Sequence, residues 1–404
     1  MNEKKDRIPY IDGLRGLACI FILMHHFLMG FYPATFSGDP TYAHTQGQIE
    51  LWFSQSPLAF FVNGDFWVSV FCLVSGFVIA RKTFRMKEDR EHAAFLIKRY
   101  PRLALPLFAV SAIVQIMLWC GLFWNVEMGA IARSEWLSSY YLDKGGVGDL
   151  FFDSLVNTWF LGMTTRYSNA FWMLDQLFIG SFAAYILAMM GKSSLRPDEE
   201  GSKKDKMILV YLIATVLLFC ANSRLAVFAI GTWIAYGIEK REQGIAKSKE
   251  LANANSGKKR IWIGVAFLVL AFILGAYPSG HVPTNLYRFL NILSPRFTPM
   301  YFYHMIAAGC LFYGIYLCEP VAKFLSISCF RFLGKISYAV YLIHVPVIYS
   351  LTSLVVLKTF DAIGYHTACA LGVLVTLVVT IVLSWLFQKF VEAPIMRALK
   401  KICG

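Results

Sequence analysis

The chain has 404 residues, of which 57% are hydrophobic and only 16% charged, against roughly 45 to 50% and 25% in an ordinary soluble domain. That composition excludes a soluble globular protein. The formal net charge of +13 lies in short loops between apolar blocks, which points to a multi-pass membrane protein and away from a nucleic-acid partner.

Residues 1–12 are polar, and the first apolar block runs from Leu14 to Phe31 with Asp12 and Arg15 at its mouth. No small-residue cleavage site follows, so the block reads as a retained helix and not a signal peptide. Further apolar segments follow at 62–80, 103–122, 171–190, 207–221, 224–238, 261–276, 297–318, 336–355 and 367–391. The expected architecture is an all-α polytopic bundle of about ten spanning helices, forming a single membrane domain over 1–404.

Alternate loops carry the basic residues. Lys4, Lys5 and Arg7 precede the first helix, and Arg81, Lys82, Arg85, Lys87, Arg90, Lys98, Arg99 and Arg102 follow the second. Lys203, Lys204, Lys206, Lys240, Arg241, Lys258, Lys259 and Arg260 repeat the bias, and Lys400 and Lys401 close the chain. The positive-inside rule therefore puts both termini in the cytoplasm. The loops at 32–61, 123–170 and 277–296 are aromatic and poor in Lys and Arg, as expected on the outer face. The block 151–163 is apolar but short and contains Asp153 and Asn157. It reads as an interfacial or re-entrant helix, since counting it as a span would invert every later loop. Residues 239–260 read as a flexible charged connector. No repeat is visible, and nine scattered cysteines show no metal-ligand spacing.

Chemistry must then come from residues in or beside the membrane, where an ionisable side chain is costly. In the first helix, Arg15 and His26 are eleven residues apart, so both point from one face at levels about 16 Å apart. His26 suits a general base, the alternative being a packing histidine bonded to a carbonyl. Arg99 and Arg102 open the third segment as an i, i+3 pair, with Pro101 at a first-turn position. Two guanidiniums there suit a polyphosphate, the alternative being topology-setting charge. His304 and His344 are candidates either for substrate contact or for packing. Trp172, Tyr338 and Tyr341 could stack on a sugar or anchor helix ends.

Five motifs in order give the chain a specific resemblance. Asp12-Gly13-Leu14-Arg15 is followed by ten residues and His26; Gly64 leads through Phe71 to Ser75-Gly76-Phe77; Arg99, Arg102 and Pro106 form R-x-x-R-x-x-x-P. Gly334, Ser337, Tyr338, Tyr341, Leu342, His344 and Pro346 lie in one late helix, and Glu392 and Pro394 in the VEAP of the last. Over nearly its whole length the sequence resembles the acyltransferase 3 family of membrane acyltransferases. The resemblance implies an acyl-CoA donor entering from the cytoplasm, His26 and Arg15 as catalytic residues, and Arg99 and Arg102 holding the nucleotide end. A thioester donor needs only a positioned base and charge stabilisation, so no metal and no permanently bound cofactor is expected. The sequence departs from the family at Leu177, where relatives carry a glutamate. Asp175 is the nearest acid, about 200° away round a regular helix.

The expected function is O-acetylation, from acetyl-CoA, of a hydroxyl on an extracytoplasmic acceptor, an envelope carbohydrate, in a bacterial plasma membrane. Trp172, Asp175, Tyr338 and His344 are the expected acceptor-side residues. A small-anion transporter and an inactive interaction or sensing module are the competing readings.

Overall fold

The computed structural model describes residues 8–163, 165–195, 206–247, 254–284, 286–291 and 299–403. Lys4, Lys5, Arg7, Lys203 and Lys204, used above to orient the chain, lie outside the described residues.

Among the described residues ten main helices form: α1 (Pro9–Phe31), α2 (Gly64–Arg85), α3 (Asp89–Trp119), α4 (Trp172–Lys192), α5 (Lys206–Ala221), α6 (Ser223–Lys247), α7 (Ala254–Gly275), α8 (Pro299–Leu317), α9 (Ser328–Ile363) and α10 (Tyr365–Ile402). Each coincides with one of the apolar segments. Among the described residues, seven are long and apolar enough to cross a membrane: α1 to α4 and α8 to α10. The other three are weaker by length or charge; α5 has only 16 residues.

Packing directions supply what length and hydropathy leave open. Leu73 and Gly76 of α2 lie against Gly231 and Phe228 of α6, Asp65 against Arg224, and Arg81 against Glu239, so α2 and α6 are parallel. Gly180 contacts Phe228 while Gly191 contacts Tyr236, so α4 is parallel to α6 as well. In α7 and α8, Arg260 meets Tyr316 and Gly264 meets Gly314, an antiparallel pair. Arg15 reaches Ser337 and His26 reaches His344, so α1 and α9 run the same way. These are the directions that ten alternating helices would have. Had only the seven strongest crossed, α1 and α9 would be antiparallel.

The same geometry bears on the 151–163 block. Residues Val147–Phe152 form an α-helix that continues as a π-helical stretch, Asp153–Leu161, packed on α3 and α4. Only α3 separates the parallel helices α2 and α4 in the alternation, so this short element does not reverse the chain.

Two expectations change. The third helix begins at Asp89, well before Pro101, because Glu88 and Glu91 form a capping box in which Glu91 accepts from the Lys87 and Glu88 backbone N–H groups. Pro101 and Pro106 are therefore interior to it. The connector at 239–260 is also largely helical: α6 runs on to Lys247 and α7 starts at Ala254. Its Glu, Lys, Arg and Gln residues are good helix formers.

α9 is central and α10 peripheral: 78% of the most apolar window of α9 is buried, against 28% for α10. Leu371, Leu374, Val378 and Val382 form an exposed apolar stripe down α10, at the spacing of one lipid-facing helix side.

α1 meets the start of α9, and the short helix Glu319–Leu325 just before it, backbone to backbone. A Cβ on Gly13 would lie 1.9 Å from the Leu325 carbonyl oxygen, one on Gly16 2.5 Å from that of Phe330, and one on Gly334 1.9 Å from that of Asp12. Gly13→Ala or Gly334→Ala should therefore destabilise the protein by about 1–3 kcal/mol, seen as a lowered thermal midpoint in detergent. Gly148→Ala, where a Cβ meets nothing within 4 Å, should leave the midpoint unchanged.

Candidate active site

The α1–α9 seam carries polar groups at two levels. At the lower level Arg15 Nη2 donates to Ser337 Oγ at 3.1 Å. From α3, Arg99 Nε donates to Ser181 Oγ of α4 at 2.8 Å, and that hydroxyl donates on to the Phe178 carbonyl. Arg15 acts electrostatically on Arg99, Arg99 and Arg102 on Tyr338, and Arg102, Arg15 and Lys335 on Glu392. Three cations, Arg15, Arg102 and Lys335, from α1, α3 and α9, thus act on one carboxylate with Arg99 beside them, and Glu392 Oε2 is buried with no hydrogen-bond partner. Such a basic cluster suits a polyanion, since guanidiniums bind phosphate oxygens in pairs.

At the upper level the chemistry is neutral. His344, buried on α9, has Nδ1 3.0 Å from the Val340 carbonyl, and its Nε2 is 3.0 Å from Nδ1 of His26. A carbonyl can only accept, so in the neutral ring His344 Nδ1 carries the proton and Nε2 the lone pair. His26 Nδ1 must then donate to it. The remaining lone pair of the two rings then falls on His26 Nε2, and the Ile22 carbonyl, one turn back on α1, also acts on the His26 ring. Trp136 stacks on the His26 ring, centroids 5.6 Å apart at 22°. The arrangement orients one imidazole against a second, as a positioned general base requires.

His25 serves another purpose. Its Nδ1 donates to the Val62 carbonyl at 2.9 Å, and its ring lies so close to Gly64 that a Cβ there would be 2.3 Å from Cδ2. Gly64 of the second motif is thus the space His25 needs.

The expected acceptor-side residues separate. Tyr338 belongs to the basic level, its hydroxyl donating to the Leu103 carbonyl at 2.8 Å, and the Tyr341 hydroxyl ties α9 to the Ala170 carbonyl at the start of α4. His344 stands beside His26. Trp172, 38% exposed, stacks on Arg224 at 4.2 Å; Arg224 is sandwiched by Tyr301 at 4.5 Å and bonded to its hydroxyl at 2.6 Å, with Asp65 at 3.5 Å. Asp175 joins this group, under the influence of Arg224, and accepts from the Gln176 backbone and side chain. Leu177 remains on the other side, packed against the core. His304 is fully buried and bonded to the Tyr277 carbonyl at 2.9 Å. Among the described residues, no group of three or more His, Cys, Asp or Glu is placed to hold a metal ion.

Sequence reasoning missed Arg224, Asp65 and Trp136. The first two were detectable as charges within apolar segments. Trp136 carries no such signal, since it lies in the short helix Glu135–Ser138 outside the apolar segments and reaches His26 only through the fold.

The family model of the acyltransferase domain, acyltransferase 3, matches residues 8–388, and the chain belongs to that family, whose membership implies a membrane acyltransferase. No curated protein and no solved structure matches the chain significantly.

Replacing His344 by Phe removes the lone pair that holds the His26 tautomer while keeping a ring in place. Acyl transfer should fall about 10- to 100-fold in kcat, below the loss of about 10²- to 10⁴-fold for His26→Ala. Donor affinity, measured by calorimetry, should stay within about twofold.

Proposed function

We propose that the protein transfers an acetyl group from acetyl-CoA to a hydroxyl of an extracytoplasmic acceptor, an envelope carbohydrate, with both termini and the basic level on the cytoplasmic side of a bacterial plasma membrane. The observation that carries the proposal is the two-level seam on α1: a basic cluster at Arg15 and, about 16 Å further along one helix face, the His26 imidazole held against His344. An elongated donor, with phosphates at one end and a thioester at the other, matches two sites at two levels; a compact anion in transit does not need the second. The loop charges support the orientation, as the described basic clusters fall where alternate helix ends face one side.

In this mechanism Arg99 and Arg102 hold the donor phosphates, and Arg15 holds the arm that leads towards His26. His26 Nε2 takes the proton of the acceptor hydroxyl as its oxygen attacks the thioester carbonyl. The C–O bond forms and a tetrahedral intermediate appears; its collapse breaks the C–S bond and expels the CoA thiolate. The imidazolium returns its proton to that thiolate, leaving an ester and free CoA. His344, by accepting from His26 Nδ1, presents the correct nitrogen and stabilises the imidazolium that forms. A thioester has a good leaving group, so a positioned base and charge stabilisation suffice.

Trp172, Arg224 and Tyr301 supply an exposed aromatic and cationic surface for the acceptor, and Asp175 supplies the acid on that face. With Leu177 in place of a carboxylate, hydroxyl recognition falls to Asp175 and Asp65.

Purified protein in lipid, given radiolabelled acetyl-CoA, should release or transfer label. His26→Ala should abolish this, and Arg102→Ala should raise the KM for acetyl-CoA about tenfold, the equivalent of about 1.4 kcal/mol for one lost charge-assisted contact. If folded wild type neither binds nor consumes acyl-CoA of any chain length, the proposal fails, and transport or scaffolding takes its place.

A further inference from the structure

A second basic site lies away from the α1–α9 seam, between the ends of α6, α7 and α8. A groove there is lined by Arg241, Lys259 and Arg260 at one end and by Ile263, Tyr313 and Leu317 at the other. Arg260 is positioned by two contacts with Tyr316: Nη2 donates to its carbonyl at 3.2 Å, and the guanidinium lies over its ring at 5.1 Å. Arg260 Nε is nevertheless buried with no hydrogen-bond partner. A charged donor held in place yet unsatisfied is costly unless an acceptor arrives.

The neighbouring carboxylates have partners of their own. Glu242 pairs with Arg81 at 3.0 Å and Glu319 with Lys323 at 2.8 Å. Arg241 and Lys259 are exposed. The groove therefore presents a net positive face.

Its position on α7 says what kind of anion fits. Lys258, Lys259 and Arg260 are followed at once by Ile261, Trp262 and Ile263. Trp262 is 73% exposed and Ile263 43%, so the helix passes here from a polar rim to a lipid-facing surface, with an exposed tryptophan at the boundary. A groove that is cationic at the rim and apolar just below it complements an amphiphile with an anionic head and an acyl chain.

We propose that this groove binds an anionic phospholipid, with the headgroup phosphate on Arg260 Nε, Lys259 and Arg241 and an acyl chain along Ile263, Tyr313 and Leu317. The site does not share a residue with the basic cluster at Arg15, Arg99 and Arg102, and it stands whether or not the acyltransferase mechanism above is correct. Charge near a membrane surface attracts acidic lipid; here the buried unpaired Nε adds a defined seat for one phosphate.

The test is native mass spectrometry of the full-length protein in detergent, titrated with dioleoyl phosphatidylglycerol or dioleoyl phosphatidylcholine. Wild type should retain phosphatidylglycerol in preference to phosphatidylcholine, and each of Arg260→Gln and Lys259→Gln should weaken that retention about fivefold. If Arg260→Gln does not fold, the exposed pair Arg241→Gln with Lys259→Gln reads the same loss. Equal retention of the two lipids, or retention unchanged in the variants, would overturn the proposal. So would displacement by an equal concentration of inorganic phosphate or of deacylated glycerophosphoglycerol, which would show that the groove reads phosphate without the chain.

Discussion

The contact on which the rest depends is the backbone approach of α1 to the start of α9. In lipid, helices gain little from burying apolar side chains against each other, and close van der Waals packing of small residues takes over. Gly13, Gly16 and Gly334 permit that approach, and a Cβ at any of them would meet a carbonyl oxygen well inside contact distance. Once the glycines fix the register, Arg15 comes to Ser337 and His26 to His344 without further adjustment. The glycines of the first motif and the chemistry attributed to it are thus one device. Gly76 and Gly231 do the same between α2 and α6, and this second seam carries Asp65 to Arg224.

The two levels of the seam differ in what they ask of the surrounding protein. Cations crowded at the lower level repel one another, and each needs a fixed partner: Ser337 for Arg15, Ser181 for Arg99, and Glu392 among Arg102, Arg15 and Lys335. The two serine hydroxyls orient Arg15 and Arg99 without neutralising them, while Glu392 offsets part of the charge around it. The upper level needs the opposite, a neutral pair with one defined tautomer. A single carbonyl, that of Val340, sets it. Pro346 lies two residues on, and the helix relaxes into a π-helical turn at Ile348–Thr352, a distortion that accompanies functional positions in helices.

The Arg224 cluster stands apart from both levels of the seam. Its guanidinium is held by two rings, a phenol and a carboxylate, which leaves little freedom and a flat, partly exposed surface at Trp172. Leu177 and Asp175 sit on different sides of α4, one on the core and one beside this cluster.

Composition and hydropathy alone determined that the chain is a helical membrane protein and where its ten helices lie, because the bilayer demands long apolar runs whatever their neighbours. The eleven-residue spacing of Arg15 and His26 placed them on one face, since helical periodicity is local. The start of α3 was misplaced because a capping box in a charged stretch outweighed the proline taken as its first turn. Only the tertiary structure paired His26 with His344 and stacked Trp136 upon it, and only it gathered Trp172, Asp175 and Arg224 apart from Tyr338. Those partners are tens to hundreds of residues distant along the chain, and which of them meet is decided by helix directions and glycine contacts that no local pattern encodes.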